Sequence, residues 1–165
     1  MRPTLVRSIS IALGAGLLLA ALGFTSADEE DLWVPVGFVI LRSTSDYAEA
    51  KRVAEEAARR LEIPLNLRGL VHDAEHGLTW PKEVCAKGPL FPFPCYMARG
   101  RFDEGVYLSV ELSDAYATFR PGLFIVIAAS GVPGSSELAA TLESARHEYP
   151  DAYLKQEKVY QGCIH

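Results

Sequence analysis

The chain is poor in positive charge. Lysine and arginine together number 16, against 21 aspartate and glutamate residues, and the formal net charge is −5. Proteins that bind nucleic acid or anionic lipid surfaces use clustered cations to neutralise phosphate groups and release their counterions. This sequence offers no such excess of cations, so we exclude nucleic acid as a main partner.

The common motifs of catalysis and nucleotide binding are also absent. The chain contains no Gly-x-Ser-x-Gly elbow, no phosphate-binding P-loop and no Gly-x-Gly-x-x-Gly motif. Cys163 and His165 lie two residues apart, whereas a catalytic cysteine and its histidine are normally distant in sequence. We therefore predict no catalytic residues and no cofactor, and a binding function is favoured over an enzymatic one.

Histidine is scarce, with four residues in the chain. His72 and His76 are four apart, a spacing that suits zinc when both residues lie on a helix. Here a predicted strand leads into the pair and Gly77 follows it, so a third ligand would have to come from elsewhere. We interpret the segment as a solvent-exposed loop and predict no metal site.

A long apolar run occurs near the N-terminus. Arg2 and Arg7 precede the run from Ile9 to Leu22, and the small residues Thr25-Ser26-Ala27 follow it. This order of regions is typical of a secretory signal peptide, and the run is short for a transmembrane helix. We predict a signal peptide over residues 1–27, cleavage after Ala27, no membrane span in the remaining chain, and a periplasmic or secreted location.

The chain has three cysteines, and an exported protein is expected to pair two of them in its oxidising compartment. Cys85 and Cys95 flank a proline-rich segment with little potential for helix or strand. A disulfide between them would fasten this weakly structured segment, so we predict that pair. Cys163 would then be unpaired, and a bond from Cys163 to Cys85 or to Cys95 is the alternative.

The central element of residues 28–165 is a short apolar run. Leu123 to Ala129 are all apolar, and Gly122 and Gly131 bound them. A run of this length, rich in β-branched residues, predicts a strand buried on both faces. A similar run upstream predicts the first strand, from about Val36 to Arg42.

A helical pattern follows each of these two strands. Asp46 can cap the first helix, which ends before Pro64, and Ser135 can cap the second, which ends at Pro150. Past each proline the sequence again favours a strand. The two predicted strands are Leu65 to Val71 and Ala152 to Tyr160.

An irregular insert separates the two halves, over residues 77–105. Its prolines at 81, 89, 92 and 94 argue against regular structure, although Cys95 to Arg101 is predicted to be a short edge strand. We interpret the insert as a flap packed over one face of the sheet. The alternative is an exposed patch of proline and aromatic residues that binds a partner.

A clean alternation marks the strand from Val106 to Ser113, in which every second residue is apolar and faces the core. An aromatic ring can stack on a sugar, while hydroxyl, carboxylate and guanidinium groups form hydrogen bonds. An ordinary solvated sheet face is the alternative. The candidate ligand-binding residues are Tyr107, Ser109 and Glu111 on the outward side, with Arg99 and Arg101 beside them.

These elements predict a single α+β domain. Two βαβ halves, residues 32–76 and 106–165, share one antiparallel sheet with both helices on one face and the disulfide-containing insert between the halves. Strand, helix and strand repeated in this way form the ferredoxin-like pattern.

Two segments resemble the SPOR (sporulation-related repeat) domain of exported bacterial proteins. They are Gly37 to Leu61 and Gly122 to Tyr153. In that family a strand ending in Gly or Ser precedes a helix with spaced alanines, as in Asp46-Tyr47-Ala48-Glu49-Ala50, and the second helix leads to a strand that begins like Asp151-Ala152-Tyr153-Leu154. The resemblance implies binding of septal peptidoglycan through the sheet face opposite the helices.

Two classes of function follow from the sequence. The first is an exported cell-envelope binding protein for peptidoglycan or another glycan. The second is a periplasmic protein-binding factor, such as an inhibitor or an immunity protein against an envelope-targeting toxin. The expected partner is thus a cell-envelope glycan or an envelope protein.

Overall fold

The fold is known from a computed structural model that describes residues 32–87, 92–101 and 105–162. The predicted signal peptide, 1–27, and Cys163 lie outside these residues. The described elements include six strands, three α-helices and a 3₁₀ helix. They are β1 (Trp33–Thr44), α1 (Tyr47–Leu61), β2 (Val71–Asp73), β3 (Gly77–Thr79), α2 (Lys82–Cys85), β4 (Gly105–Leu112), the 3₁₀ helix (Ser113–Ala115), β5 (Phe124–Gly131), α3 (Ser136–Glu148) and β6 (Tyr153–Tyr160).

Four strands form one antiparallel sheet in the order β4-β5-β1-β6, and β2 and β3 form a separate antiparallel pair. The prediction of a mixed α+β protein with an antiparallel sheet is therefore confirmed. Every residue of β5 is buried, and the strand lies between β4 and β1. The apolar run Leu123 to Ala129 thus lies in a central strand from Phe124 onward, as its two apolar faces indicated.

Helix α1 begins where the sequence indicates. The Asp46 carboxylate accepts hydrogen bonds from the backbone N–H groups of Ala48 (2.8 Å) and Glu49 (3.3 Å), which have no partner inside the first turn. The helix ends at Leu61 and is capped by Glu62, whose φ of 55° is left-handed, two residues before Pro64. The buried stripe of α1 consists of Ala50, Val53, Ala54 and Ala57.

Helix α3 packs closely on β1. Gly37 makes this approach possible, because a Cβ atom at that position would lie 2.6 Å from Cδ1 of Leu138. Residues of α1 and of α3 belong to one core cluster with Val39 and Val126, so both helices pack on one face of the sheet. Among the residues that the structure describes, no helix has the length and apolarity that a membrane crossing needs.

The predicted strand from Leu65 to Val71 is wrong. Leu65 makes a single isolated bridge to Leu108. Beyond it the chain turns, because the Asn66 side chain accepts a hydrogen bond from the backbone N–H of Arg68 (2.9 Å), and Arg68 and Gly69 have left-handed φ angles of 58° and 68°. A side-chain hydrogen bond to the local backbone has replaced the strand ladder that was predicted here.

The second face of the sheet is also covered. A second core cluster on this face joins β1, β5 and β6 to two segments without strand structure, 92–101 and 113–122. The predicted edge strand from Cys95 to Arg101 is wrong, because this segment crosses the sheet face and bonds to it through side chains. The cluster comprises Val36, Phe38, Ile40, Tyr116, Phe119, Ile125, Ile127 and Val159, with Ala98 packed against it.

The predicted disulfide between Cys85 and Cys95 is present. It joins α2 to the start of the covering segment 92–101. Thr79 reinforces the junction, because its hydroxyl donates to the Cys95 carbonyl (3.0 Å) and accepts from the Cys95 N–H (3.0 Å). The covering segment is therefore anchored covalently and by hydrogen bonds at Cys95, near its start.

Removing this bond is expected to lower stability without changing the fold. Replacing Cys85 and Cys95 with serine releases a short loop, and we expect the free energy of unfolding to fall by about 2–3 kcal/mol. Urea unfolding of the wild-type and double-serine proteins measures the difference. Cys163→Ser is the control, because it leaves the bond in place, and equal midpoints for all three proteins would contradict the prediction.

Candidate functional site

The predicted polar row lies on the side of β4 that faces away from the helices. Leu108 and Val110 belong to the helix-side core cluster, while Ser109 and Glu111 point to the opposite face, so the alternation is as predicted. The row is nevertheless enclosed. Ser109 and Glu111 are fully buried because segment 92–101 lies over them, and Arg99, which belongs to that segment, is fully buried as well.

Arg99 fills a β-bulge between β4 and β5. The pairing shifts register between Val106 and Ser109, which leaves nearby carbonyl groups available. The guanidinium donates to these carbonyls and to two hydroxyls, and its central carbon lies 3.5 Å from the centre of the Tyr107 ring. Its acceptors are the Ser130 and Ser109 hydroxyls (both 3.0 Å) and the carbonyls of Tyr107 (2.9 Å), Gly105 (2.9 Å) and Ile127 (3.2 Å).

Glu111 is the buried carboxylate of the row. Nη1 of Arg68 lies 2.8 Å from its Oε2 atom, and the Tyr96 hydroxyl donates to the same oxygen. Burial raises the pKa of Glu111, and the positive charge of Arg68 opposes that rise. Nη1 of Arg68 also donates to the Met97 carbonyl (2.9 Å). This group therefore ties strand β4 to the 66–69 turn and to the covering segment.

Arg101 is separate from these contacts. Its guanidinium donates to the Gly162 carbonyl and lies 5.4 Å from the centre of the Tyr160 ring, near the end of β6. Arg99 contacts β4 and β5, on the other side of β1. The structure thus brings Tyr107, Ser109 and Arg99 together and leaves Arg101 apart. The five residues remain predicted ligand contacts, and in this arrangement their polar groups bind other parts of the chain.

On the helix side, beyond α3, the residues that the structure describes leave a strip of the sheet uncovered. The paired residues Trp33–Tyr160 and Pro35–Lys158 share this face with Gly37, where Leu138 packs. The strip borders an open cleft of about 600 Å³. Its lining residues are Trp33, Pro35, Ala117, Thr118, Gln156, Glu157 and Lys158.

Trp33 is the most prominent group of the cleft. Its side chain is 44% exposed although it is a large aromatic residue, and its ring centre lies 5.2 Å from that of Tyr160. The exposed side chains of Gln156 and Lys158 stand beside it. An indole face with amide and ammonium groups around it suits a ligand that has an apolar face and polar edges.

Sequence reasoning did not identify this strip. The sequence predicts the first strand from about Val36, whereas β1 begins at Trp33, so Trp33 lies outside the predicted strand. The available signal was a tryptophan two residues before a proline at the start of a strand, where proline is tolerated.

The histidine pair lines a different cleft, of about 500 Å³. His72 stacks on Tyr47 with ring centres 4.8 Å apart. Nδ1 of His76 lies 2.8 Å from Oδ1 of Asp73, and this hydrogen bond lowers the pKa of Asp73. Within residues 32–87, 92–101 and 105–162, no group of three or more histidine, cysteine, aspartate or glutamate residues has a geometry that would hold a metal ion.

Fold and site together define a mixed α+β protein with a disulfide, a sheet whose two faces are covered except for the strip beyond α3, and an open cleft at one edge. No family model, no curated protein and no solved structure matches the chain. Its function is therefore inferred from its own residues.

Proposed function

We propose that this chain is an exported cell-envelope binding protein whose ligand is peptidoglycan or another envelope glycan. The observation that carries the proposal is the exposed Trp33 indole, which lines the cleft between the start of β1 and the end of β6. Large exposed aromatic side chains beside polar groups are characteristic of binding surfaces, because a bound ligand removes their apolar surface from water.

The chemistry of the cleft fits a sugar chain. One face of a pyranose ring carries C–H groups that can pack on the indole, while its hydroxyl and acetamido groups need donors and acceptors. Gln156 offers both and Lys158 donates, while the Thr118 hydroxyl in the same lining already donates to Glu157 and can only accept. The open cleft also leaves room for a polymer to enter and leave along the sheet edge.

The sheet order supports a ferredoxin-like and SPOR-like assignment as part of this proposal. The units β1-α1-β4 and β5-α3-β6 interleave in the order β4-β5-β1-β6. The resemblance implies a ligand on the face opposite the helices, but segments 92–101 and 113–122 cover that face here. The proposal therefore assigns the ligand to the uncovered strip on the helix side.

Export is supported by the disulfide, because such bonds persist in oxidising compartments and are rare in the cytosol. The proposed location is periplasmic or secreted. The mature protein would then meet the envelope glycan directly.

Trp33→Ala is expected to weaken binding to purified sacculi by about 1–3 kcal/mol, or roughly 5- to 150-fold, because stacking and contact area are lost. Co-sedimentation of the folded protein with sacculi measures the dissociation constant. Tyr153→Ala is the matched control, since Tyr153 is also exposed but lies at the other end of β6. Unchanged affinity of the Trp33 variant would contradict the assignment to this cleft.

Tyr107→Ala belongs in the same experiment, because it tests the row predicted from sequence. The Tyr107 ring supports the Arg99 guanidinium, so this change is expected to lower the melting temperature and leave the affinity unchanged. Loss of affinity in a protein of unchanged stability would favour the row instead.

Capture of an envelope protein by the wild-type chain, with no binding to sacculi, would favour the protein-binding alternative.

A further inference from the structure

Among the described strands β6 is the last of the sheet, so half of its backbone groups point away from β1. The N–H of Gln161 donates to the Leu32 carbonyl (2.7 Å), and the register continues this pairing in steps of two. Glu157 and its alternate neighbours therefore bond to β1. The residues whose backbone groups face outward are Leu154, Gln156, Lys158 and Tyr160.

An open edge of this length can pair with another strand. Exposed apolar side chains increase that tendency, and Tyr153 and Leu154 are 39% and 41% exposed. The other end of the sheet shows how a chain can close its edge. There the N–H of Leu108 donates to the Pro64 carbonyl (2.7 Å) and the Leu108 carbonyl accepts from Asn66 (2.8 Å).

Glu157 closes the edge of β6 through its side chain instead. It is a charged residue with only 4% of its surface exposed, and its side chain points inward from an edge strand. Its Oε1 atom accepts from the Lys158 N–H (2.8 Å), which is one of the outward-facing donors. Its Oε2 atom accepts from the N–H (2.7 Å) and the hydroxyl (2.6 Å) of Thr118.

Lys155 completes the arrangement. Its ammonium donates to the Thr118 carbonyl (2.7 Å) and lies 4.2 Å from the centre of the Phe119 ring. Thr118 is thus held by its N–H, its hydroxyl and its carbonyl. The 113–122 segment is thus held alongside β6. The Glu157 carboxylate that holds it also accepts a hydrogen bond from the outward-facing N–H of Lys158.

We propose that Glu157 protects the outer edge of β6 and prevents the chain from pairing through β6 with a second copy of itself. The inference goes beyond glycan binding and does not depend on it. The carboxylate removes one outward N–H from the surface that an incoming strand would need, and its buried charge disfavours a dry strand-to-strand contact.

The test is the oligomeric state of Glu157→Val across a concentration series, measured by sedimentation velocity. We expect the wild-type protein to be monomeric and the variant to form a dimer. Adding Gln156→Pro removes another outward N–H and is expected to restore the monomer. Glu148→Val, the same change on the exposed side of α3, is the control and is expected to stay monomeric.

A dimeric wild-type protein, a folded Glu157→Val monomer, or a dimer that survives Gln156→Pro would overturn the proposal. Amide hydrogen exchange of the wild-type protein gives a second test that needs no variant to fold. The Lys158 amide is expected to exchange at least tenfold more slowly than that of Gln156, because only Lys158 has an acceptor in Glu157. Equal exchange at the two amides would also overturn it.

Discussion

Replacing Arg99 with methionine is expected to lower the free energy of unfolding by about 3–5 kcal/mol, a large part of the stability of a domain this size. Methionine fills much of the same space but donates no hydrogen bond. Three carbonyls and two hydroxyls inside the fold then lose the donor that holds them. Because water has no access to a fully buried site, these acceptors would be left without any hydrogen-bond donor, and the free energy of their desolvation would no longer be offset.

Urea unfolding followed by far-ultraviolet circular dichroism measures this effect. Arg120→Met is the matched control, since Arg120 is exposed, and it is expected to change the midpoint little. Arg99→Lys keeps the charge but lacks the planar group that reaches both strands at once, so it is expected to lose most of the same stability. An Arg99→Met protein as stable as the wild type would show that the bulge does not need the guanidinium group.

Val126→Asp is expected to prevent folding. Val126 is fully buried in the central strand β5, within the cluster formed by the sheet and the two long helices. A carboxylate there would be far from water and without a cation in this cluster, at a cost of several kcal/mol.

Val132→Asp makes the same chemical change one residue beyond the end of β5, where the side chain is 67% exposed. It is expected to leave the melting temperature nearly unchanged. Thermal unfolding of the two variants side by side therefore separates burial from any general effect of added charge. A soluble Val126→Asp protein with a cooperative melt would contradict the buried position of this strand.

The elements that could be predicted from sequence are those whose signals are local. The run Leu123 to Ala129 is apolar on both faces, so its burial did not depend on knowing its neighbours. Asp46 caps α1 through hydrogen bonds from Ala48 and Glu49, and Cys85 and Cys95 are separated by a short loop. Each of these features can be decided within about fifteen residues of chain.

The features that escaped prediction depend on distant partners. Alternation correctly placed Ser109 and Glu111 away from the helices, but it does not reveal what lies above them. Their partners Arg99 and Arg68 come from a proline-rich insert and from a turn. Polar side chains that satisfy a buried guanidinium have the same pattern in sequence as side chains that face water.

The strand predicted from Leu65 to Val71 failed for a related reason. Asn66 and Gly69 both favour turns, so the bonds of Pro64 and Asn66 to Leu108 stay a single bridge and the chain turns directly after it. Trp33 was missed because strand ends are set by pairing, in this case with Tyr160, rather than by the composition of the strand itself.

The covered second face of the sheet limits how far this chain can be shortened. A minimal version with only β1, α1, β4, β5, α3 and β6 would retain every element of the two repeated units, yet it would expose Phe38, Ile40 and Ile125 to water over a continuous surface. The insert also supplies the guanidinium that fills the bulge between β4 and β5. The smallest autonomous folding unit therefore includes segment 92–101, and the insert is an integral layer of the domain rather than an appendage that can be exchanged.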